Sequence, residues 1–244
     1  MHSTRRALIW PACLALALAL GACGSTGTDA ERTEGDIAQG RGAAEGGIAQ
    51  LAAAVLDDAT SDADHSIPAS LLERARGIIV VPNVTKAALG VGGRWGQGLA
   101  VQRLPDGSWS APAYVSLGGA SYGFQIGAQS TDLVLVFTGD NGLRALIDDH
   151  VKLGADMSIT AGPVGRNVEV GTNLTMDSAI YSYSRSEGLF AGVSLDGAVL
   201  EFDEDKNRDA YGEAVTPDRL LSGDVDPAPA VEPFVRMVEA IDLT

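Results

Sequence analysis

The chain has almost no cysteine. Its two, Cys13 and Cys23, fall within the first 23 of 244 residues, so the remainder has no thiol for a disulfide framework, a cysteine zinc site or a thiol nucleophile. Histidine is nearly as scarce. After His2 only His65 and His150 remain, which removes most of the base and ligand chemistry that imidazole supplies. Basic residues are few, 17 Lys+Arg against 32 Asp+Glu, for a net charge of −15. This excludes nucleic acid as a partner, because such binding rests on basic contacts to phosphate. It also opposes wholesale attraction to an anionic membrane, although a local basic patch remains allowed, since fields decay within about 8–10 Å at physiological salt. The leading apolar run, Leu8–Leu20, is shorter than the roughly 20 residues that span a bilayer. Stability must therefore come from a core, and 45% hydrophobic residues suffice for one sizeable domain.

The first 22 residues have a basic start (Arg5, Arg6), an apolar centre and a small-residue exit, Leu20-Gly21-Ala22-Cys23, the pattern of a signal peptide. The two arginines are the ordinary basic region rather than a twin-arginine export signal. The exit resembles the lipobox of bacterial lipoproteins, which implies that Cys23 is acylated and becomes the new N-terminus. Removing residues 1–22, which hold two arginines and no acid, leaves 15 Lys+Arg against 32 Asp+Glu, a net charge of −17. Gly24 rather than aspartate follows the cysteine. By the same resemblance the expected address is the cell envelope, at the outer membrane facing the periplasm if the cell has two membranes. Residues 23–47 are small, polar and without apolar periodicity, and read as a tether.

The chain is organised around residues 77–137. Apolar runs at Ile78–Val81, Gly98–Val101, Ala113–Leu117 and Leu133–Phe137 alternate with glycines and with the hairpin dipeptide Asp106-Gly107, as in antiparallel strands joined by tight turns. Gly90, Gly92, Gly93, Gly96 and Gly98 would each cost about 1 kcal/mol in a helix, whereas in a sheet they allow bulges, bends and close approach. Four ordered blocks, ARGIIVVPNVTKAALGVGG (75–93), DGSWSAPAYVSLGGASYGFQIGAQSTDLVLVF (106–137), VKLGADMSITAGPVGRN (151–167) and YSYSRSEGLFAGVSLDGAVLEFD (181–203), resemble the SYLF-domain family over most of residues 48–222. That family is named after eukaryotic phosphoinositide- and actin-binding proteins and has a bacterial branch of secreted lipoproteins. The resemblance implies a lipid-binding, non-enzymatic domain. The eukaryotic members place a membrane-binding amphipathic helix ahead of the domain, whereas the corresponding helix here has no Lys or Arg.

Around this centre, IAQLAAAVLDDA predicts a helix with Ile48, Leu51, Val55 and Leu56 or Ala52 on one face. A second helix is expected from Pro68 to Arg76, capped by Gly77, with Arg74 and Arg76 at its negative end. Thr138–Asn141 offers capping side chains before a short helix carrying Leu143, Leu146 and Ile147 inward. Gly162-Pro163-Val164-Gly165 predicts a hairpin turn, as does Glu187-Gly188 between SAIYSYSRS and GLFAGVSLDGAVLEF. TPDRLLSG from Thr216 and PFVRMVEAIDL near the end are helical. The expected fold class is α+β: a curved, mainly antiparallel sheet over 77–203, with its glycines pointing to partial closure into a barrel, and packed N-terminal, middle and C-terminal helices. The expected organisation is leader 1–22, tether 23–47, SYLF-like domain 48–224 and C-terminal helix 225–244.

Three catalytic or metal motifs fail on context. Gly119-Ala120-Ser121-Tyr122-Gly123 matches the nucleophile elbow, but the region reads as strand rather than strand-to-helix, with only His150 downstream. Gly90-Val91-Gly92 has Trp95 where a dinucleotide fingerprint needs its third glycine. Asp203-Glu204-Asp205-Lys206-Asn207 opens like a calcium loop but has Arg208 and Ala214 where glycine and glutamate are required, and reads as a solvated acidic loop. No metal, cofactor or catalytic residue is expected.

What remains is a sparse set of cations, Lys86, Arg94, Lys152, Arg166 and Arg185, at loops or strand ends. Each is either a solvated residue or partner to a carboxylate, or part of a phosphate-contacting group in which glycine turns add backbone donors. Lys86, Arg94, Lys152 and Arg166 are the candidate lipid-headgroup residues, and Cys23 the lipidation site. Trp95 and Trp109 suit either core packing or a membrane interface. The function expected is a membrane-anchored envelope lipoprotein that binds anionic phospholipid. The alternative is a scaffold that binds an envelope protein through a sheet edge or the C-terminal helix.

Overall fold

The computed structural model describes residues 47–241 apart from 62–65, 140–142, 145, 148–149, 157, 165–179, 187–188, 193–194 and 196, with the backbone alone at 88–91 and 121–128. Cys23, Arg166 and the glycine-proline turn beyond Val164 lie outside the described residues, as does the Glu187-Gly188 turn.

Two long strands dominate. β1 (Gly77–Gln102) and β2 (Ala113–Phe137) pair antiparallel from Gly77↔Phe137 to Ala100↔Ala113. The four apolar runs of the sequence are the two ends of each strand. Between β1 and β2, Gly107 has φ +91° and Asp106 accepts from the Ser108 N–H and hydroxyl, so the expected Asp-Gly turn is present. The paired strands do not extend straight. β1 doubles back, so that the Arg103 N–H donates to the Arg76 carbonyl at 2.9 Å and Gly98 lies against Val80 and Val81. A Cβ at Gly98 would sit 2.1 Å from the Val80 carbonyl oxygen, so only glycine permits this approach.

The remaining strands extend the sheet on both sides. The first half of β2 pairs with β7 (Ala198–Phe202), and β7 with β3 (His150–Lys152). The second half pairs with β5 (Ile180–Ser186), whose outer edge takes β4 (Ile159–Ala161) in parallel and β6 (Leu189–Gly192) antiparallel. The fold is α+β with an open, mainly antiparallel sheet. The partial barrel expected from the glycines is not formed: they fold one long hairpin back on itself instead of curving the sheet toward closure. β4 pairs with β5 in parallel, and the second strand of the hairpin expected at Gly162-Pro163-Val164-Gly165 lies outside the described residues.

Both faces of the sheet are buried. Ile78, Val80, Leu99, Val101, Tyr114, Val134 and Val136 face one cluster, with α1 (residues 47–61), α2 (Ala69–Leu72) and α5 (Glu232–Ile241) over it. Ile79, Val81, Ala100, Val115, Leu133, Leu135 and Phe137 face the other, together with Val151 of β3, Leu153, and Leu143 and Leu146. The period of two along each run is what lets one strand serve two cores.

Several helix expectations are corrected. α1 buries Ala49, Ala52, Val55, Leu56 and Ala59 and leaves Leu51 47% exposed. Its alanines let the helix lie close on the sheet, and Val55, Leu56 and Ala52 face the core as expected with Ile48 packed against it, so Leu51 is the one member of the expected face that points outward. α2 stops at Leu72, and Gly77 is the first residue of β1 rather than a cap: a Cβ there would meet Leu143 Cδ1 at 2.0 Å. The acidic stretch is not a loop. Asp203 caps α3 (Glu204–Tyr211) by accepting from the Lys206 N–H. Asn207, buried, donates to the Tyr114 carbonyl and accepts its N–H, each at 2.8 Å. α4 (Pro217–Leu221) starts at Thr216 as expected.

Candidate functional site

The site is the bend of β1. It begins at a bulge between Val81 and Val84, where Asn83 adopts φ 51°, a conformation asparagine tolerates better than most residues, and its N–H donates to the Asp132 carboxylate at 3.0 Å. It ends at Gly96, where a Cβ would lie 2.7 Å from Val81 Cγ1 and 3.1 Å from Val84 Cγ2. Lys86 and Arg94 lie two residues beyond that contact, one on each flank, and strand alternation gives them the same face.

Arg94 pairs across to Gly119. A Cβ at Gly119 would be 3.5 Å from Arg94 Cγ, so the arginine stem lies over a position without a side chain. Its Nε is buried with no hydrogen-bond partner. A buried donor left unpaired costs about 1–3 kcal/mol, and an anion is the acceptor suited to it. Among the described residues, Lys86, Arg94 and Lys152 form no ion pair, whereas Arg185 pairs with Asp58, Arg208 with Asp205 and Glu213, and Arg236 with Glu232. Arg185 is thus a structural cation joining α1 to β5. It also lies over the Phe190 ring at 5.8 Å.

Lys152 is placed elsewhere. It is exposed on β3 opposite Val199, in the row Trp95–Gly118–Val199–Lys152. It therefore shares the face of Trp95, about 14 Å away by three strand spacings, and Arg94 in the next row faces the other side. The candidate cations do not converge on one point: Lys86 and Arg94 flank the bend, and Lys152 stands across the sheet.

The two tryptophans separate. Trp109 is partly buried under Arg103, 4.4 Å from its ring centroid, and that guanidinium also donates to the Ala75 and Gly107 carbonyls. Trp95 is 54% exposed and lines a groove of ≈ 550 Å³ with Ile48 and Leu51 of α1, Pro82 and Gly96. Asp203 fixes one wall by accepting from Ser116 Oγ at 3.0 Å and Gln97 Nε2 at 3.4 Å. Sequence reasoning missed this double use of Asp203, and the exposure of Leu51, because both depend on which elements meet. Ser121 lies mid-strand opposite Gly92, without the strand-to-helix turn of a nucleophile elbow.

These features define a class: a non-barrel α+β domain built on a folded-back hairpin, with unpaired cations at the bend. The chain belongs to the Ysc84 family, described as "Las17-binding protein actin regulator", whose model matches residues 118–241; this bears out the SYLF resemblance. It is 36% identical over 193 residues to LAS seventeen-binding protein 3 of Saccharomyces cerevisiae, covering 78% of this chain and 42% of that protein. It is 41% identical over 184 residues to an SH3 domain-containing protein of Schizosaccharomyces pombe, covering 74% and 43%. Against the human SH3 domain-containing YSC84-like protein 1 the identity is 38% over 168 residues, covering 68% and 48%. The chain thus spans less than half the length of these relatives.

Proposed function

We propose that this chain is a non-enzymatic envelope lipoprotein, anchored through acylated Cys23, whose Ysc84-family domain binds anionic phospholipid headgroups at the bend of β1. The observation that carries the reading is the buried, unpartnered Nε of Arg94, with exposed Lys86 on the other flank of the bend and in no ion pair among the described residues, in a chain with nearly twice as many acids as bases. Cations in such a chain ordinarily find carboxylates, so two left without one favour an external anion. A phosphate offers the bidentate acceptor that a guanidinium takes, and Gly92 and Gly93 beside Arg94 keep the approach open. Each cation near a charged bilayer is worth about 1 kcal/mol, so binding is weak, salt-sensitive and dependent on the anchor to raise its effective concentration.

Residues 24–244 should co-sediment with phosphatidylglycerol vesicles at low salt. Lys86→Ala with Arg94→Ala should abolish this while leaving the melting temperature within about 2 °C. Cys23→Ser should release the chain from the membrane fraction, and an intact mass showing an unmodified cysteine would remove the anchor. If the unaltered fragment ignores anionic vesicles at low salt, headgroup binding is wrong. The second reading, a scaffold for a protein partner, then takes its place; the Las17-binding relatives support it, and the outer edges of β3, β4 and β6 are where a partner strand would add.

A further inference from the structure

We infer that the Leu51–Trp95 edge is an interfacial insertion site, at which these two side chains enter the headgroup boundary of the bilayer that holds the chain; this rests on the anchored-lipoprotein reading above. Among the described residues, Leu51 and Trp95 are the large apolar side chains left exposed, at 47% and 54%. They are not scattered. They line one groove, one from α1 and one from the bend of β1, and adjacent exposed apolar groups mark a contact surface more often than isolated ones do.

Neither can withdraw. The core stripe of α1 runs through Ala49, Ala52 and Leu56, which turns Leu51 outward, and Gly96 is pressed against Val81 and Val84, which holds Trp95 at the lip. The position of the anchor selects the occupant. The described part of α1 starts at Gly47, one residue before groove-lining Ile48, so the chain that follows Cys23 by 24 residues meets the described domain at this groove. Fully extended, those residues reach at most about 80–86 Å, which makes this edge the part of the described domain nearest in chain to the bilayer.

Charge does not drive the contact. Lys152 shares the face, but so do Glu201 and Asp203, the latter engaged with Ser116 and Gln97. Insertion is therefore apolar, with the indole at the depth where tryptophan is enriched. It should survive salt that removes headgroup binding.

The lipidated chain carrying Trp109→Phe, with Trp95 as its remaining indole after the leader is cleaved, is reconstituted into phosphatidylcholine vesicles with and without bromines on the upper acyl chain. At least twofold quenching of Trp95 emission, unchanged in 1 M salt and lost in Leu51→Ser, is the expected result. If Trp109→Phe folds poorly, the difference in quenching between the unaltered chain and Trp95→Phe supplies the same quantity. Protein that partitions with vesicles while Trp95 ignores the bromines overturns insertion and leaves the anchor standing. Failure to partition overturns the anchor and insertion together. Trp95 emission that shifts with protein concentration in the absence of vesicles assigns the groove to a second copy and overturns the proposal.

Discussion

The base of the β1–β2 hairpin and its bend are made by the same two strands, yet they obey different rules. At the base, Ile78–Val81 and Leu133–Phe137 are buried on both faces, and every residue is apolar because each face meets a core. At the bend, helices no longer cover both sides and glycine replaces the β-branched residues. Lys86, Arg94 and Trp95 carry the polarity and exposure. The difference teaches that this sheet is wholly apolar where both faces are covered and carries polar and exposed side chains where the chain must double back.

The sharpest way to break that arrangement is at the junction of the two regions. Gly98→Ala drives a Cβ into the Val80 carbonyl at 2.1 Å and toward Val81 Cα at 2.8 Å. Backbone cannot yield as a side chain can, so a loss of about 3 kcal/mol is expected in denaturant melts. Gly118→Ala, in the same sheet with nothing within 4 Å of its Cβ, should stay within about 0.5 kcal/mol. Equal effects at the two sites would mean that β1 does not fold back as described.

A smaller effect tests how the base is held from outside. Asn207→Ala removes both hydrogen bonds to the Tyr114 backbone, and buried unpaired groups there should cost about 2 kcal/mol. Its readout is the same melt, with hydrogen exchange at the Tyr114 amide rising selectively. Loss of exchange protection confined to α3, with Tyr114 still protected, would contradict that anchoring role.

At the bend the expected sign differs. Lys86→Ala with Arg94→Ala should leave stability unchanged or slightly raised, because a buried guanidinium atom without a partner is removed along with its desolvation cost. A drop of more than about 1 kcal/mol would show the arginine to be structural.

The smallest effect is at the Asp106 turn, where hydrogen bonds from the Ser108 side chain and backbone hold the Asp106 carboxyl below its ordinary value. Its folded pKa is depressed, so its contribution is present above the unfolded carboxylate pKa and fades as pH falls through the folded one. Asp106→Asn should therefore flatten the acid limb of the stability curve slightly and leave the neutral region near the unaltered chain. Burial pushes the Tyr183 phenol up, and its hydroxyl donates to the Pro163 carbonyl at 3.0 Å. That places no titration at physiological pH in this part of the core.

The sequence by itself determined what depends on neighbours along the chain. Alternating apolar runs at 78–81, 98–101, 113–117 and 133–137 specify strands, Asp106-Gly107 specifies the turn between them, and Thr216-Pro217 starts a helix wherever the rest of the molecule lies. The four family blocks were legible for the same reason, as was the choice of Lys86 and Arg94 beside glycines. Tertiary structure alone decided what depends on residues far apart. Whether Gly98 marks a turn or a crossing over Val80 is settled by the fold-back, and whether Leu51 or Ala52 faces inward is settled by how closely α1 can approach the sheet. Asp203–Asn207 has the composition of a solvated loop, and it becomes a helix because Asn207 finds the Tyr114 backbone, 93 residues earlier. Propensity and turn chemistry act over a few residues and are written in order along the chain, whereas burial and pairing between distant segments are properties of the assembled core.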